Sequence, residues 1–462
     1  MSPQAPGWRS APLAAPHRRR PFGRPAPAEG AGRMVEGRAR AMTTAPLQGL
    51  RVLEFSHTIM GPCAGLVLAD LGAEVVKVEP APGGDHTRRL PGFAAGFFAA
   101  FNRNKRSLAL DLKREEGRAA ARRLAARADV VLENYGPGTM ERLGCGWEQL
   151  SPANPRLVYL ALKGFLAGPY EHRPALDEVV QFQAGLAYMT GPPGRPLRAG
   201  ASIVDILGAV FGVAAVLAAL RERDATGRGQ RVSSALFESA VFLMGSHMAG
   251  LAATGEEPPP MPARRGAWGI YDVFATAEDG QLFVGVTSDG QWARFCEAFG
   301  LTALGADPRL ATNALRAAAR PWLIPALQEA LAALPQAEVE ARCERAGISW
   351  APVGRPADLF ADPHLLAGGG LLRTAISALG GGAGAMFGLP ALPLEFGPDR
   401  ARPGLTRQPP RMGEHSAEVL AEAGFGAAEI AALAAAGVVA GEAGDAASLA
   451  AGRDARAGAD RA

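Results

Sequence analysis

The chain runs to 462 residues, more than one typical hydrophobic core accommodates, and 48% of them are hydrophobic, so two or more packed domains are expected. The 48 Lys and Arg against 45 Asp and Glu give a formal charge of only +3, largely from the arginine-rich first forty residues, so the body is near neutral and carries no basic stripe for a nucleic acid. Cys63, Cys145, Cys296 and Cys343 lie far apart, with no C-x-x-C pair or neighbouring His cluster, which points to a reduced, cytoplasmic chain without a metal site.

Residues 1–46 are rich in Pro, Arg, Ala and Gly and lack a periodic apolar face; a disordered extension is expected there, with Met42 as an alternative first residue. From Leu47, "LQGLRVLEFS", a helical stretch near Gly65 to Leu71 and "EVVKVE" read as a βαβ unit. Glu79 ends the second strand where a dinucleotide fold would place a ribose-binding acid. Gly61 and Gly65 do not make G-x-G-x-x-G, however, so a nicotinamide enzyme is disfavoured. "SLALDL", a helix from about Arg114 to Arg127, "DVVLENY", a short helix near Gly138 to Leu143 and "RLVYLALKG" continue the alternation and imply a parallel sheet.

Asp205 then sits inside the apolar stretch "LRAGASIVDILG". A carboxylate there either caps a helix starting near Ile206 or is kept as a reactive group in a cleft. No apolar run reaches the ~20 residues of a bilayer span, so no membrane partner is expected. A strand and a long helix follow in "GRGQRVSSALFESAVFLMGSHMA", and the texture changes after Pro258, Pro259 and Pro260. "GIYDVFATAEDGQLFVGV" is a hairpin turning at Asp279 and Gly280, succeeded by helices around Trp292 and from Ala326 to Ala346, as in a second, smaller domain. The last ordered part is helical, with Glu414, His415 and Ser416 at its start, His415 reading as a local cap or surface residue.

The segments "LRVLEFSHTIMGP", "LADLGAEVVKVEP", "FNRNKRSLALDLK", "ADVVLENYGPGTMERLG", "LKGFLAGPY", "ASIVDILG", "GRGQRV" and "MGEHSAEVLAEAG", in consistent order over about residues 47–439, closely resemble the class III CoA-transferases of the CaiB/BaiF type, the group containing formyl-CoA transferase and carnitine CoA-transferase. The resemblance implies an α/β fold: a Rossmann-like open-sheet large domain at 47–235, a linker helix and loop at 236–265, and a smaller α+β domain at 266–372. Residues 373–440 would return to the large domain, 441–462 would form a loose tail, and two chains would interlock as a homodimer. Coenzyme A and acyl-CoA would be substrates, with a carboxylic acid as the other, and no metal, flavin or nicotinamide is implied.

The same resemblance puts the catalytic carboxylate on Asp205, which would attack the donor acyl-CoA to give a mixed anhydride and then pass through an aspartyl-CoA thioester. An ordinary Asp, with a pKa of ~3.9, is ionised at neutral pH and needs no base to attack. His57, Thr58, Asn104, Lys105, Arg106, Asn134, Tyr135, Thr139 and Arg142 carry over as contacts to coenzyme A. The cations and the amides at Gly136 and Gly138 suit its phosphates, although Lys105 and Arg106 also read as solvated charges before a strand. Ile59, Asp177, Arg265 and Gly266 carry over to the acyl and acceptor end, Asp177 having the alternative of capping the helix that follows it. Gly200 and Gly208, flanking Asp205, suit either close approach to a ligand or a turn.

Two departures shape the reading. The related α-methylacyl-CoA racemases carry a His immediately before the acid that matches Asp177. Here that position is Leu176 and the nearest candidate, His172, is displaced, so racemisation, which needs two proton-transfer groups, is the alternative function. Where formyl-CoA transferase has a run of glycines over its intermediate, this chain has only Gly266 and Gly269, with Arg264, Arg265 and Trp268 beside them, which favours an acidic acceptor. Ile59, in place of a Gln, favours a less polar acyl group. A catalytically silent CoA-binding protein would be a third reading, disfavoured by Asp205 itself.

Overall fold

The computed structural model describes residues 45–263, 266–277, 279–376 and 384–441. Residues 1–44 and 442–462, where the extension and the tail are expected, and Arg264 and Arg265 lie outside the described residues. Short runs rich in Val and Leu form strands β1 (Arg51–Phe55), β2 (Glu74–Pro80), β3 (Lys105–Leu110), β4 (Val130–Glu133), β5 (Val158–Lys163) and β6 (Arg231–Ala235). The hairpin β7 (Ile270–Ala275) and β8 (Gln281–Val286) is joined by β9 (Ser349–Pro352), then come a separate pair β10 (Leu371–Ile376) and β11 (Ala385–Pro390), and finally β12 (Val439–Ala440). The larger sheet has the order β12-β3-β2-β1-β4-β5-β6, in which β1 to β6 are parallel and β12 runs antiparallel to β3. The fold is thus α/β, with a mostly parallel sheet and a smaller antiparallel sheet β7-β8-β9.

Successive side chains of a strand face opposite ways, and the two faces of the large sheet bury separate cores. Helix α1 (Met60–Asp70) lies across one face, over Val52, Val75, Val130, Leu132, Val158 and Leu160. On the opposite face Leu53, Phe55, Val76, Leu108, Val131 and Tyr159 pack under α2 (Glu115–Ala125) and under Val419, Leu420 and Ile430 from the C-terminal segment. After α3 (Asp177–Gln183), the long α4 (Ile203–Thr226) joins α1 on the first face, and α5 (Leu236–Thr254) follows β6. The antiparallel sheet has its own core, in which Ile270, Phe274, Leu282 and Val284 meet Trp292 and Phe295 of α6 (Asp289–Phe299), Leu323 and Leu327 of α7 (Asn313–Ala332) and Val339 of α8 (Gln336–Ala346).

One feature of the fold differs from expectation. Helices α4 and α5, at 24 and 19 residues, are long and apolar enough to cross a membrane by length and composition. Part of that apolarity is used inside the protein: Val204, Ala209, Val213 and Val216 of α4 are buried against the sheet, while Val210, Phe211, Leu217 and, on α5, Phe242 stay exposed. The C-terminal segment is also stitched to β3. Ser416 Oγ accepts from Ala109 N at 3.2 Å and donates to Ala440 O at 2.8 Å, and His415 Nδ1 accepts from Ser107 N at 3.3 Å.

Candidate active site

In the large sheet the chain proceeds outward from β1 through β2 to β3, and on the other side from β4 through β5 to β6, so β1 and β4 are neighbours whose connections leave in opposite directions. A crevice opens beyond the carboxyl ends of two such strands, where open α/β sheets bind ligands. His57 and Thr58 follow β1 there, and Asn134 and Tyr135 follow β4. The Asn134 amide joins the two loops, its Oδ1 accepting from His57 N at 3.0 Å and its Nδ2 donating to His57 O at 2.9 Å. The His57 ring stacks on Tyr135, centroids 5.6 Å apart, and its Nδ1 lies 2.8 Å from Thr58 Oγ1. Burial holds His57 below its ordinary pKa, against the opposing pull of Asp85, and so favours the neutral ring. Thr58 has φ 67°, a left-handed conformation that turns the chain abruptly into α1. Thr139 and Arg142 lie on the short helical turn after Gly138, where Arg142 donates to Thr139 Oγ1 at 2.8 Å and is otherwise exposed.

Asn104, Lys105 and Arg106 are spent differently from a phosphate cluster. Lys105 is fully buried, and its Nζ donates to Glu54 Oε1 at 3.1 Å, Pro62 O at 2.8 Å and Asn102 Oδ1 at 3.0 Å. Glu54 can tuck beneath α1 because residue 65 is glycine; a Cβ there would stand 1.8 Å from Glu54 Oε2. Asn104 accepts from Thr406 N at 2.7 Å and Arg407 N at 2.9 Å, pinning the C-terminal segment. Arg106 turns to the far side and donates to Glu418 and Glu422 of helix α9 (Ser416–Glu422). Alternation along β3 sends Lys105 and Arg106 to opposite faces, so both do not serve one ligand. Glu79 is equally committed, bound by both Arg88 Nε at 2.8 Å and Nη2 at 2.6 Å and by Ser107 Oγ at 2.6 Å, which leaves it no ribose to hold.

Asp205 is the third residue of α4, which starts at Ile203, so it lies inside the first turn and does not cap a helix starting near Ile206. It is half-buried, and among the described residues its carboxylate makes no hydrogen bond or ion pair. Desolvation, and then the neighbouring carboxylates of Asp177 and Glu178, push its pKa up to about 7 against the pull of Arg198. The ordinary carboxylate value expected from sequence is therefore corrected by burial. Asp177 starts α3, yet it caps neither its own helix nor open space: its Oδ2 accepts from Val204 N at 2.9 Å and Asp205 N at 3.1 Å. Arg198, which sequence reasoning passes over, donates to Glu178 at 2.5 Å and lies 3.9 Å from Asp177. Its place shortly before Asp205, on the same chain segment, is the signal that could have found it.

The helix that carries Asp205 packs on α1, which follows directly from the His57–Thr58 loop. Gly208 lies against Met60, whose Cε would be 2.5 Å from an added Cβ, so the small residue admits α1 and its His57–Ile59 approach beside the first turn of α4. Ile59 is buried at the start of α1. Gly200 has open space within 4 Å of where a Cβ would stand, and Gly266 faces Trp268 O and Arg320. Leu176 and His172 are both exposed, and Arg265 lies outside the described residues. Cavities of about 380 and 500 Å³ are lined by Arg407 and His415, and by Asn104 and Arg402; Asp205 lines neither.

The model of CoA-transferase family III matches residues 47–416. The chain belongs to that family. This family III CoA-transferase is 34% identical to a succinate–glutarate CoA-transferase of Agrobacterium fabrum, over 82% of this chain and 95% of that one. It is 35% identical to a succinyl-CoA:mesaconate CoA-transferase of Haloarcula hispanica, over 82% and 97%. Among solved structures, a CaiB/BaiF family protein from Brucella suis superposes with a TM-score of 0.73 at 32% identity, covering 82% of this chain and 99% of that one. The CoA-transferase is thus an enzyme acting between acyl-CoAs and carboxylic acids, with the fold of its solved relative.

Proposed function

We propose that the enzyme transfers coenzyme A between a donor acyl-CoA and a dicarboxylic acid through covalent intermediates on Asp205. The observation that carries this is a half-buried carboxylate without a partner among the described residues, on the first turn of α4, the helix packed against α1. The Asp205 carboxylate attacks the thioester carbonyl, and the C–S bond breaks to give a mixed anhydride and the CoA thiolate. The thiolate then attacks the Asp205 carbonyl, releasing the donor acid and leaving an aspartyl-CoA thioester. Attack by the acceptor carboxylate regenerates the thiolate and an anhydride, and thiolate attack on the acceptor's carbonyl yields the new acyl-CoA and free Asp205. No step needs a redox change or an external base. The relatives named for succinate, glutarate and mesaconate support the dicarboxylate class.

In this reading His57, Thr58, Asn134, Tyr135, Thr139 and Arg142 line the coenzyme A side, with exposed Arg142 and the amides at exposed Gly136 and Gly138 available to phosphate. Ile59 and Gly266 belong to the acyl end. The working form is a homodimer, supported by the exposed apolar faces of α4 and α5, and the four buried free cysteines accord with a reducing compartment such as the cytoplasm.

Incubation with acyl-CoAs and hydroxylamine, followed by peptide mass spectrometry, tests the covalent route. A hydroxamate on the peptide containing Asp205 is expected. Its absence with every donor, together with deuterium uptake at the α-carbon of a 2-methylacyl-CoA in heavy water, would replace transfer with racemisation.

A further inference from the structure

Four hydrogen bonds make a continuous link from the loop before α4 to its first turn. Ala199 N donates to Gln181 Oε1 at 2.8 Å, the Gln181 amide donates to Asp177 Oδ1, and Asp177 Oδ2 accepts from Val204 N and Asp205 N. Gln181 is fully buried and Asp177 nearly so, at 4% exposure, and α4 receives no side-chain cap from its own Ser202. Building on the reading of Asp205 as the reacting carboxylate, we propose that Asp177 and Gln181 form a brace that positions Asp205, Asp177 acting through the backbone of α4 and not on the substrate.

The polarity of the link explains the residue types. A backbone N–H at one end fixes the Gln181 amide with its oxygen toward Ala199 and its NH2 toward residue 177. Backbone N–H groups of α4 occupy the other side. Residue 177 must therefore accept on both branches, which a carboxylate does and an Asn amide does not. The helix end so capped has two of its free N–H groups satisfied, and the turn that carries Asp205 is tied to α3, 28 residues earlier. The brace also lays a negative charge beside Asp205. Among the described residues, the other ionisable groups facing that carboxyl are Glu178 on α3, Arg198 on the loop and engaged with Glu178, and the buried Cys63 thiol on α1. On α5, Glu238 is turned to the Leu166 amide.

The test compares Asp177→Asn, Gln181→Met and Asp205→Asn in the full-length enzyme. For Asp177→Asn, kcat should fall by ~10-fold or more with both KM values within ~3-fold, because orientation is lost and binding is not. The acid limb of its kcat/KM profile should move to lower pH by about one unit as the like charge disappears. For Gln181→Met, which keeps that charge, kcat should fall while the acid limb stays in place. A rise in acceptor KM at unchanged kcat in Asp177→Asn would make Asp177 a substrate contact and overturn the brace, as would unchanged kcat in Gln181→Met. If circular dichroism shows Asp177→Asn to be unfolded, Gln181→Met alone decides between the same two outcomes. Full activity in Asp205→Asn would instead remove the catalytic reading and the brace with it, whereas an inactive Asp205→Asn beside unaffected brace variants removes the brace alone.

Discussion

A carboxylate that attacks a thioester gains nucleophilicity as its basicity rises, and Asp205, pushed up to about 7, is a stronger base than an ordinary aspartate while still being about half ionised at neutral pH. The acid limb of kcat/KM is accordingly expected near pH 7, and a profile flat down to pH 5 would show that Asp205 is not so placed. The same shift has a cost in stability. Between pH 3.8 and about 7 the folded chain holds a proton that the unfolded chain has released, so stability falls as pH rises through that window and levels off above it. Asp205→Asn removes the cost; allowing for the partial exposure of the group, it should stabilise the protein by about 1–2 kcal/mol at pH 8 and by little at pH 4. Thermal unfolding at the two pH values measures this, and equal effects at both would contradict it. Lys105 offers a contrasting case. Desolvation lowers its pKa to about 8 despite Glu54, and its removal takes one of two buried cations from the Glu54 carboxylate, leaving Lys77 at 3.3 Å and the Ser56 hydroxyl. Lys105→Met should destabilise the fold by ~3 kcal/mol, with an acyl-CoA KM that changes little, whereas a phosphate ligand would show the reverse.

At the scale of elements, what is legible in the sequence follows from period and propensity. The Val- and Leu-rich runs give β1 to β5 their places, and the long apolar helix around Asp205 is visible because one carboxylate stands in an otherwise apolar segment. The start of that helix is not, because its cap comes from Asp177 across 28 residues, a contact no local pattern encodes. For the same reason Asn104, Lys105 and Arg106 read as one polar cluster: they are adjacent in the chain, while the strand and the turn before it send them to different partners. Strand β12, two residues long, has no pattern of its own and exists because Ser416 and His415 hold the C-terminal segment on β3. Ser416→Ala deletes bonds to Ala109 N and Ala440 O, one of them to a buried amide. A loss of about 1–2 kcal/mol is expected, with proteolysis beginning in the C-terminal segment; hydrogen exchange that leaves the β3 amides fully protected would count against this coupling.

The molecule as a whole leaves apolar side chains uncovered on α4, the helix that carries Asp205, and on α5. Phe242 is 70% exposed, and Phe211, which meets it edge to face at 5.2 Å, and Val210 are exposed with it. A cluster of this size is costly to leave in water, and it lies on the same two helices whose length and composition would suit a membrane. A second copy of the chain is the proposed occupant. Seated there, it would also add walls around Asp205, which lines neither of the two cavities of the single chain described above. Replacing Phe242 by Asp puts a charge at the centre of the shared face, where burial without a partner costs several kcal/mol. Sedimentation velocity at micromolar concentration should show a dimer for the unaltered enzyme and a shift toward monomer for Phe242→Asp, with transferase activity falling in step. A fully active monomer would dissociate catalysis from assembly, and detergent-dependent solubility of the unaltered chain would assign the same face to lipid.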